Sequence, residues 1–354
     1  MTSLPGSSNI SANSSQLAAA ISQADFSTHT ATVIGYGGMG RQFVKALRTL
    51  RVGHVRVCSR PSAELTELDE QHGITRLPGD FEQLRIKPVN GELAIIALPI
   101  KSLVPAARHL MALGYRKILI EKPVSLWSSE IEELAVEAGS CQVDTACGYN
   151  RVAYPSFHEA RARAEEQGGI TSCTYSFTEF VKKLDPNRYS PDEMRRWGIA
   201  NSLHVMSLAH GLIGLPGQWN GYRTGAAVSW HPSGSRFVGA GISSLQIPYS
   251  YHADWGSAGR WFVEIHTRVS SYRLCPLEKL FQRTDPMSDW EEVPLTTLAA
   301  DVKTGFVEQV AAMLDSKIRA IMPLISLQTT LDLTRYGEQL FGYSVDSSDR
   351  GSSS

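Results

Sequence analysis

Thr32-Val33-Ile34-Gly35-Tyr36-Gly37-Gly38-Met39-Gly40-Arg41-Gln42-Phe43 is the stretch that decides the fold. A short β-branched run enters a glycine-rich turn, and an apolar-periodic segment leaves it. Gly35, Gly37 and Gly40 fit G-x-G-x-x-G. The first glycine permits a tight strand-to-helix turn, the second lets the backbone approach a pyrophosphate, and the third lets the helix pack close on the strand. The N–H groups at the start of the helix then face the phosphates. Glycine turns are common, and the three-glycine pattern alone is weak. Its frame makes it specific: a strand-like run precedes it, residues 39–50 read as a helix, and residues 54–58 read as a second strand. In that βαβ unit Gly35, Tyr36, Gly37, Gly38, Met39 and Gly40 are expected to cradle a dinucleotide.

Working outward, the alternation continues. Residues 93–98 form an apolar run ending at Pro99 and read as a buried parallel strand. Leu98 and Pro99, at its carboxyl end, join the expected cofactor contacts. Helix is expected over 103–113, strand over 117–121, helix over 131–138 and strand over 142–146. This α/β alternation predicts a Rossmann-type, doubly wound parallel sheet spanning residues 30–149. The pattern then changes. A helix over 154–167 precedes a strand at 171–181 and a largely helical stretch at 192–214. Strand-like runs at 226–230, 237–247, 259–269 and 272–274 predict an open, mostly antiparallel sheet, closed by helices at 306–314 and 327–341. Residues 150–341 are therefore expected to form an α+β substrate and oligomerisation domain. Residues 1–29 and 342–354 read as disordered tails, with at most one helical turn around 16–23.

A chain of 354 residues suits two domains, and its 42% hydrophobic and 19% charged content is that of an ordinary globular protein. The formal net charge of −1, with no block of like charge, recommends neither nucleic acid nor a membrane surface as partner. The sequence has no apolar run of about 18 residues, the length a spanning helix needs. The first 28 residues carry no Lys or Arg, which argues against a signal or transit peptide. Five scattered cysteines fit no metal or redox spacing and read as reduced thiols in a cytoplasmic protein. No metal site is expected.

The second strand ends in Cys58-Ser59-Arg60, without the acidic residue that grips the ribose 2′-hydroxyl in NAD-specific folds. Ser59 can donate to a 2′-phosphate and Arg60 can pair with it. NADP is favoured, with NAD as the alternative. Glu121-Lys122-Pro123 closes an interior strand at the edge where doubly wound sheets bind ligands. Pro123 eases a cis peptide bond that would aim Lys122 into the crevice. A partly desolvated ammonium there is suited to general acid–base work.

The glycine turn, Glu121-Lys122-Pro123 about 80 residues later, and Gly148-Tyr149-Asn150-Arg151 at the start of the second domain together resemble the glucose–fructose oxidoreductase/inositol dehydrogenase (Gfo/Idh/MocA) family. The resemblance runs from about residue 30 to about residue 341. It implies a two-domain NAD(P)-dependent oxidoreductase acting on sugars, nucleotide sugars or cyclitols, and a homo-oligomer joined through the open sheet. It makes Lys122 the catalytic lysine, with Glu121 and Lys122 beside the cofactor. The family's further Asp-x-x-x-His-x-x-Asp pattern is altered here: His204 is kept, but Ala200 and Ser207 replace the acids. Asn201, His204 and Ser207 share one helical face by their spacing, so a neutral polar site is expected, with His204 catalytic and Asn201 on the substrate. Arg196 and Trp197 suit a phosphate and a base, as in a nucleotide-linked sugar; the neighbouring Arg195 reads rather as a solvated helix face. Tyr149, Asn150 and Arg151 are expected on the floor of the site, hinge packing being the alternative for Arg151. Two other readings stand beside the sugar oxidoreductase: a non-catalytic dinucleotide-binding regulator on the same fold, favoured by the missing acids, and a reductase of a non-sugar substrate such as an imine or a linear tetrapyrrole.

Overall fold

The computed structural model describes residues 11–60, 74–226 and 228–345. The chain enters through α1 (Ser14–Gln23) and then builds β1 (Thr30–Ile34), α2 (Gly38–Thr49), β2 (His54–Ser59), β3 (Ile74–Pro78), β4 (Leu93–Ile96), α3 (Leu103–Leu113), β5 (Lys117–Ile120), α4 (Ser128–Ser140) and β6 (Asp144–Cys147). The six strands form one sheet in the order β3-β2-β1-β4-β5-β6, and every pairing is parallel. All four residues of β4 are buried, as a strand covered by helices on both faces requires. The chain leaves β1 on one side for β2 and β3 and on the other for β4 to β6. The crevice at the carboxyl ends of β1 and β4 is therefore the switch point where such sheets take ligands.

The second half builds α5 (Pro155–Glu166), β7 (Ser172–Ser176), α6 (Pro191–Arg195), α7 (Leu203–Ile213), β8 (Pro216–Thr224), β9 (Arg236–Ser243), β10 (Pro248–Asp254), β11 (Phe262–His266), β12 (Ser271–Leu274), β13 (Leu280–Arg283) and β14 (Glu291–Val293). Its eight strands run β14-β13-β12-β11-β7-β10-β9-β8. The β7–β10 pair is parallel and the remaining pairs are antiparallel. One face packs on α7, whose residues are almost all buried. The other leaves Tyr222, Val238 and Ile242 exposed. The chain ends through α8 (Phe306–Leu314), α9 (Ser316–Ile321) and α10 (Leu327–Phe341). No helix among the described residues is long and apolar enough to cross a membrane.

Several expectations are corrected. Residues 14–29 are not a loose tail. Asn13 and Gln16 cap α1 reciprocally, Leu17, Ala18 and Ile21 are buried, and Ser14 Oγ donates to Glu159 Oε2 at 2.8 Å. Nor does a tail begin at residue 342: Tyr343 receives the Gly198 N–H at 3.1 Å and stacks on Phe341. The expected ends at 1–10 and 346–354 lie outside the described residues. Residues 228–230 are a turn rather than a strand, between Gly225 and Gly234 at positive φ. The expected strand over 237–247 is shorter, and β8 and β10 flank β9 without having been foreseen. Finally, α8 does not close the second sheet. It packs on α2 of the first, with Phe306 and Phe43 ring centroids 4.5 Å apart.

Candidate active site

The glycine turn is jammed on one side and open on the other. Gly35 has φ 94°, and a Cβ there would lie 2.4 Å from the Ala97 carbonyl oxygen; a Cβ on Gly40 would lie 2.1 Å from the Gly35 oxygen. A Cβ on Gly37 or Gly38 would meet nothing within 4 Å. The start of α2 has no side-chain cap, so its first N–H groups face that open space. These residues fit a pyrophosphate. The Arg41 guanidinium covers the Tyr36 ring at 5.1 Å, and Leu98 packs against Gly35. Ser59 ends β2 and donates to the Arg60 carbonyl at 3.2 Å, while Arg60 is exposed. Pro99 begins the turn into α3.

Lys122 follows β5 and precedes a cis peptide bond to Pro123. Its Nζ donates to the Ala200 carbonyl at 3.1 Å. Burial pulls its pKa down to about 8; Glu121 and Glu179 oppose that shift, and Arg151 and Lys303 add to it. Glu121 is itself buried, accepts the Lys122 backbone N–H, and has its carboxyl pushed up by burial. Ala200, at a position expected to carry an acid, thus still holds the ammonium, through a backbone oxygen that any residue supplies.

His204 sits on α7 with its ring edge-on to Tyr149, centroids 6.2 Å apart, and 6.2 Å from Trp261. Burial, with Arg151, Lys122 and Lys303 nearby, drives its pKa well below the ordinary histidine value. It is a neutral imidazole, a hydrogen-bonding group rather than a reservoir of charge. Its Nδ1 has no hydrogen-bond partner among the described residues, and neither has the Tyr149 hydroxyl.

The expected face of Asn201, His204 and Ser207 does not assemble. Residues Gly198–Ser202 form a widened π-turn before α7. Asn201 turns away to Glu179, and Ser207 Oγ donates back to the His204 carbonyl at 3.0 Å. Arg196 is also not a ligand group. It is buried, pairs with Glu338 at 2.6 Å, donates to the carbonyls of Leu126 and Ser344, and lies between the Trp127 and Tyr343 rings. Arg195 pairs with Asp192 at the surface. Asn150 is buried and donates to the Thr304 carbonyl at 2.8 Å, a packing role. Trp197 and Arg151 do reach open space. A cleft of about 300 Å³ is lined by Arg151, Glu179, Arg260, Trp261 and Glu278. A second of about 230 Å³ is lined by Glu179, Lys183, Tyr189, Trp197 and Asn201. Arg151 covers the Trp261 ring at 5.0 Å.

Three residues at the site were not foreseen. Lys303, between the second sheet and α8, brings its Nζ to 3.5 Å from Met39 Sδ in the glycine turn, and its backbone N–H donates to Gln42 at 2.7 Å. Trp261 stands between Arg151 and His204. Glu179, three residues beyond β7, is buried and accepts from Asn201 Nδ2 at 2.8 Å and Ser202 Oγ at 2.6 Å. A lone acid in the apolar run around Tyr175 and Phe177 was the one signal for it.

Comparison with known proteins bears on this geometry. Residues 30–149 match the GFO_IDH_MocA family, described as an oxidoreductase family with an NAD-binding Rossmann fold. No curated protein matches in sequence. Among solved structures, levoglucosan dehydrogenase in complex with NADH is similar with a TM-score of 0.68 at 15% identity, covering 89% of this chain and 96% of that one. UDP-N-acetylglucosamine 3-dehydrogenase GnnA from Acidithiobacillus ferrooxidans gives 0.63 at 15% identity, over 88% and 96%. A super-repressor mutant of Gal80p from Saccharomyces cerevisiae gives 0.69 at 12% identity, over 89% and 95%. At these identities the likeness is one of fold, and both a dehydrogenase and a repressor share it.

Proposed function

We propose that the chain, whose residues 30–149 match a family of NAD-binding oxidoreductases, is an NAD(P)-dependent enzyme interconverting an alcohol and a carbonyl on a sugar-like substrate. The observation that carries this is the Lys122 ammonium. It is fixed on the Ala200 carbonyl at the carboxyl end of the parallel sheet, with a pKa brought to about 8. A group poised near neutrality in a ligand crevice is what proton transfer to or from a carbinol oxygen needs.

The N–H groups at Gly37 to Met39 would hold the pyrophosphate, Ser59 and Arg60 the adenosine end, and Leu98, Pro99, Glu121 and Lys122 the crevice beyond. With no acid at the tip of β2, Arg60 favours NADP over NAD. The bound nicotinamide supplies or accepts the hydride. Lys122 gives the substrate oxygen its proton in reduction and takes it in oxidation. Neutral His204 orients that oxygen by hydrogen bonding, and Tyr149 fixes the ring. Arg151, Trp261, Trp197 and Asn201 line the space for the rest of the substrate. The exposed Tyr222, Val238 and Ile242 face supports assembly of copies through the second sheet.

The alternative is a dinucleotide-binding regulator, and the repressor among the structural relatives gives it a precedent in fold. The experiment is a panel: purified protein, NADPH or NADH, and keto-sugars, nucleotide keto-sugars, imines and linear tetrapyrroles. Consumption of reduced cofactor with a keto-sugar is the expected result. Tight cofactor binding with turnover of nothing in the panel favours the regulator.

A further inference from the structure

Two ionisable groups grip one short turn from opposite sides. Lys122, from the end of β5, donates to the carbonyl of Ala200. Glu179, from beyond the end of β7, accepts from the side chains of Asn201 and Ser202. The turn itself has little freedom. A Cβ on Gly198 would sit 2.3 Å from the Phe341 ring, and one on Gly337 of α10 would sit 2.7 Å from Ile199. The start of the Gly198–Ser202 turn is thus packed closely against α10.

Resting on the oxidoreductase reading, we propose that Glu179 is the positioning carboxylate of this site: reaching in from beyond β7, it stands in for the acid that α7 lacks at Ala200 and Ser207, fastening the turn that holds the Lys122 ammonium and helping that ammonium keep its proton. The carboxylate has the right surroundings for this. Though buried, it is among the residues that line both clefts, so it stands between them and the Gly198–Ser202 turn. Burial raises its pKa to about 7, while the Ser202 and Asn201 hydrogen bonds and the Lys122 charge favour its ionised form. Glu179 in turn is among the charges that raise the Lys122 pKa. Other charges face Lys122 as well: Glu121 beside it, Arg151 from the turn after β6 and Lys303 from the segment before α8. His204 on α7 feels Lys122 but stays neutral. Tyr343, from the C-terminal segment, faces Glu179 as an un-ionised phenol. Arg151 and Lys303 depress the lysine; Glu121 is its larger supporting charge, and Glu179 is the supporting charge that is remote in the chain and lines both clefts.

The sign follows. Above neutral pH Glu179 is ionised and helps Lys122 keep its proton; without that charge Lys122 loses its proton at lower pH. The test reads Lys122 directly in the full-length protein, with no substrate: its rate of acylation by acetic anhydride, followed by peptide mass spectrometry across a pH series. Glu179→Gln, which keeps an acceptor for Asn201 or Ser202 and removes the charge, is expected to lower the apparent pKa of Lys122 by a resolvable fraction of a unit. Glu179→Asp, which keeps the charge, is expected to restore most of the wild-type value. Ser202→Ala, which removes one donor to the carboxylate, should move Lys122 the same way as Glu179→Gln by a smaller amount. It carries the test if Glu179→Gln does not fold. An unchanged Lys122 profile in folded Glu179→Gln, equal shifts in the Gln and Asp variants, or, where Gln does not fold, no shift in Ser202→Ala would overturn the assignment. Once a substrate is in hand, the pH limb of kcat should move with the labelling pKa. A shifted Lys122 with no turnover of any substrate keeps Glu179 in place and removes the oxidoreductase reading. Turnover with an unshifted Lys122 does the reverse.

Discussion

Lys122 and the groups around it set the direction in which the chemistry depends on pH. Its pKa is lowered to about 8, mainly by burial. On the proposed mechanism the ammonium donates the proton in reduction, so the rate should be full below that value and fall as pH rises through about 8. In oxidation the neutral amine is the acceptor, so the rate rises through the same region. Profiles of kcat in the two directions are therefore expected as mirror-image limbs; two limbs of the same sign contradict the assignment. The placement of Lys122 was legible in the sequence because Glu121, Lys122 and Pro123 are contiguous and sit at a strand end. Arg196 was misread for the opposite reason. Its partner Glu338 lies 142 positions away on α10, and nothing near Arg196 shows that its charge is already matched. Glu179 escaped notice likewise, since Asn201 and Ser202 are 22 and 23 positions distant.

Along the strand–turn–helix at the glycine turn, Gly35 and Gly40 have no room for a Cβ, whereas Gly37 and Gly38 face open space. Gly40→Ala forces a methyl group against the Gly35 carbonyl at 2.1 Å. It should cost about 1–3 kcal/mol of stability and weaken dinucleotide binding with it. Gly37→Ala has open space, so its unfolding midpoint should match wild type while dinucleotide affinity falls. Denaturant unfolding together with NADPH titration checks both, and equal loss of stability in the two variants contradicts the division. Most of the parallel sheet could be read in advance because β1, β2, β4 and β5 are short apolar or β-branched runs at regular spacing; β3 (Ile74–Pro78), at the edge, was not foreseen. The second sheet was harder. In β8 and β9 one face is exposed and glycines interrupt the pattern (Gly217, Gly221, Gly239 and Gly241), so hydrophobic periodicity is faint. Helix α1 was hidden by a composition of Ser, Ala and Asn that reads as a tail, although its Asn13–Gln16 cap and its Leu17–Ile21 spacing were present.

Across the whole molecule, the chain visits the crevice repeatedly. The first sheet supplies the glycine turn and Lys122, the second supplies Glu179 and Trp261, and α7 supplies His204. The returning segment then lays Lys303 beside Met39 and docks α8 on α2. That return was not legible, because a terminal amphipathic helix does not say which sheet it covers. The succession of a parallel sheet and a second, mostly antiparallel one was, since it follows from the order of strands and helices. The central claim is that this junction moves a hydride with Lys122 handling the proton. The most direct measurement compares wild type and Lys122→Ala for NADPH dissociation constant and kcat on the same keto-sugar. A similar dissociation constant and a kcat lower by about 10²–10⁴-fold are expected in the variant; turnover undiminished in Lys122→Ala would contradict proton transfer by Lys122.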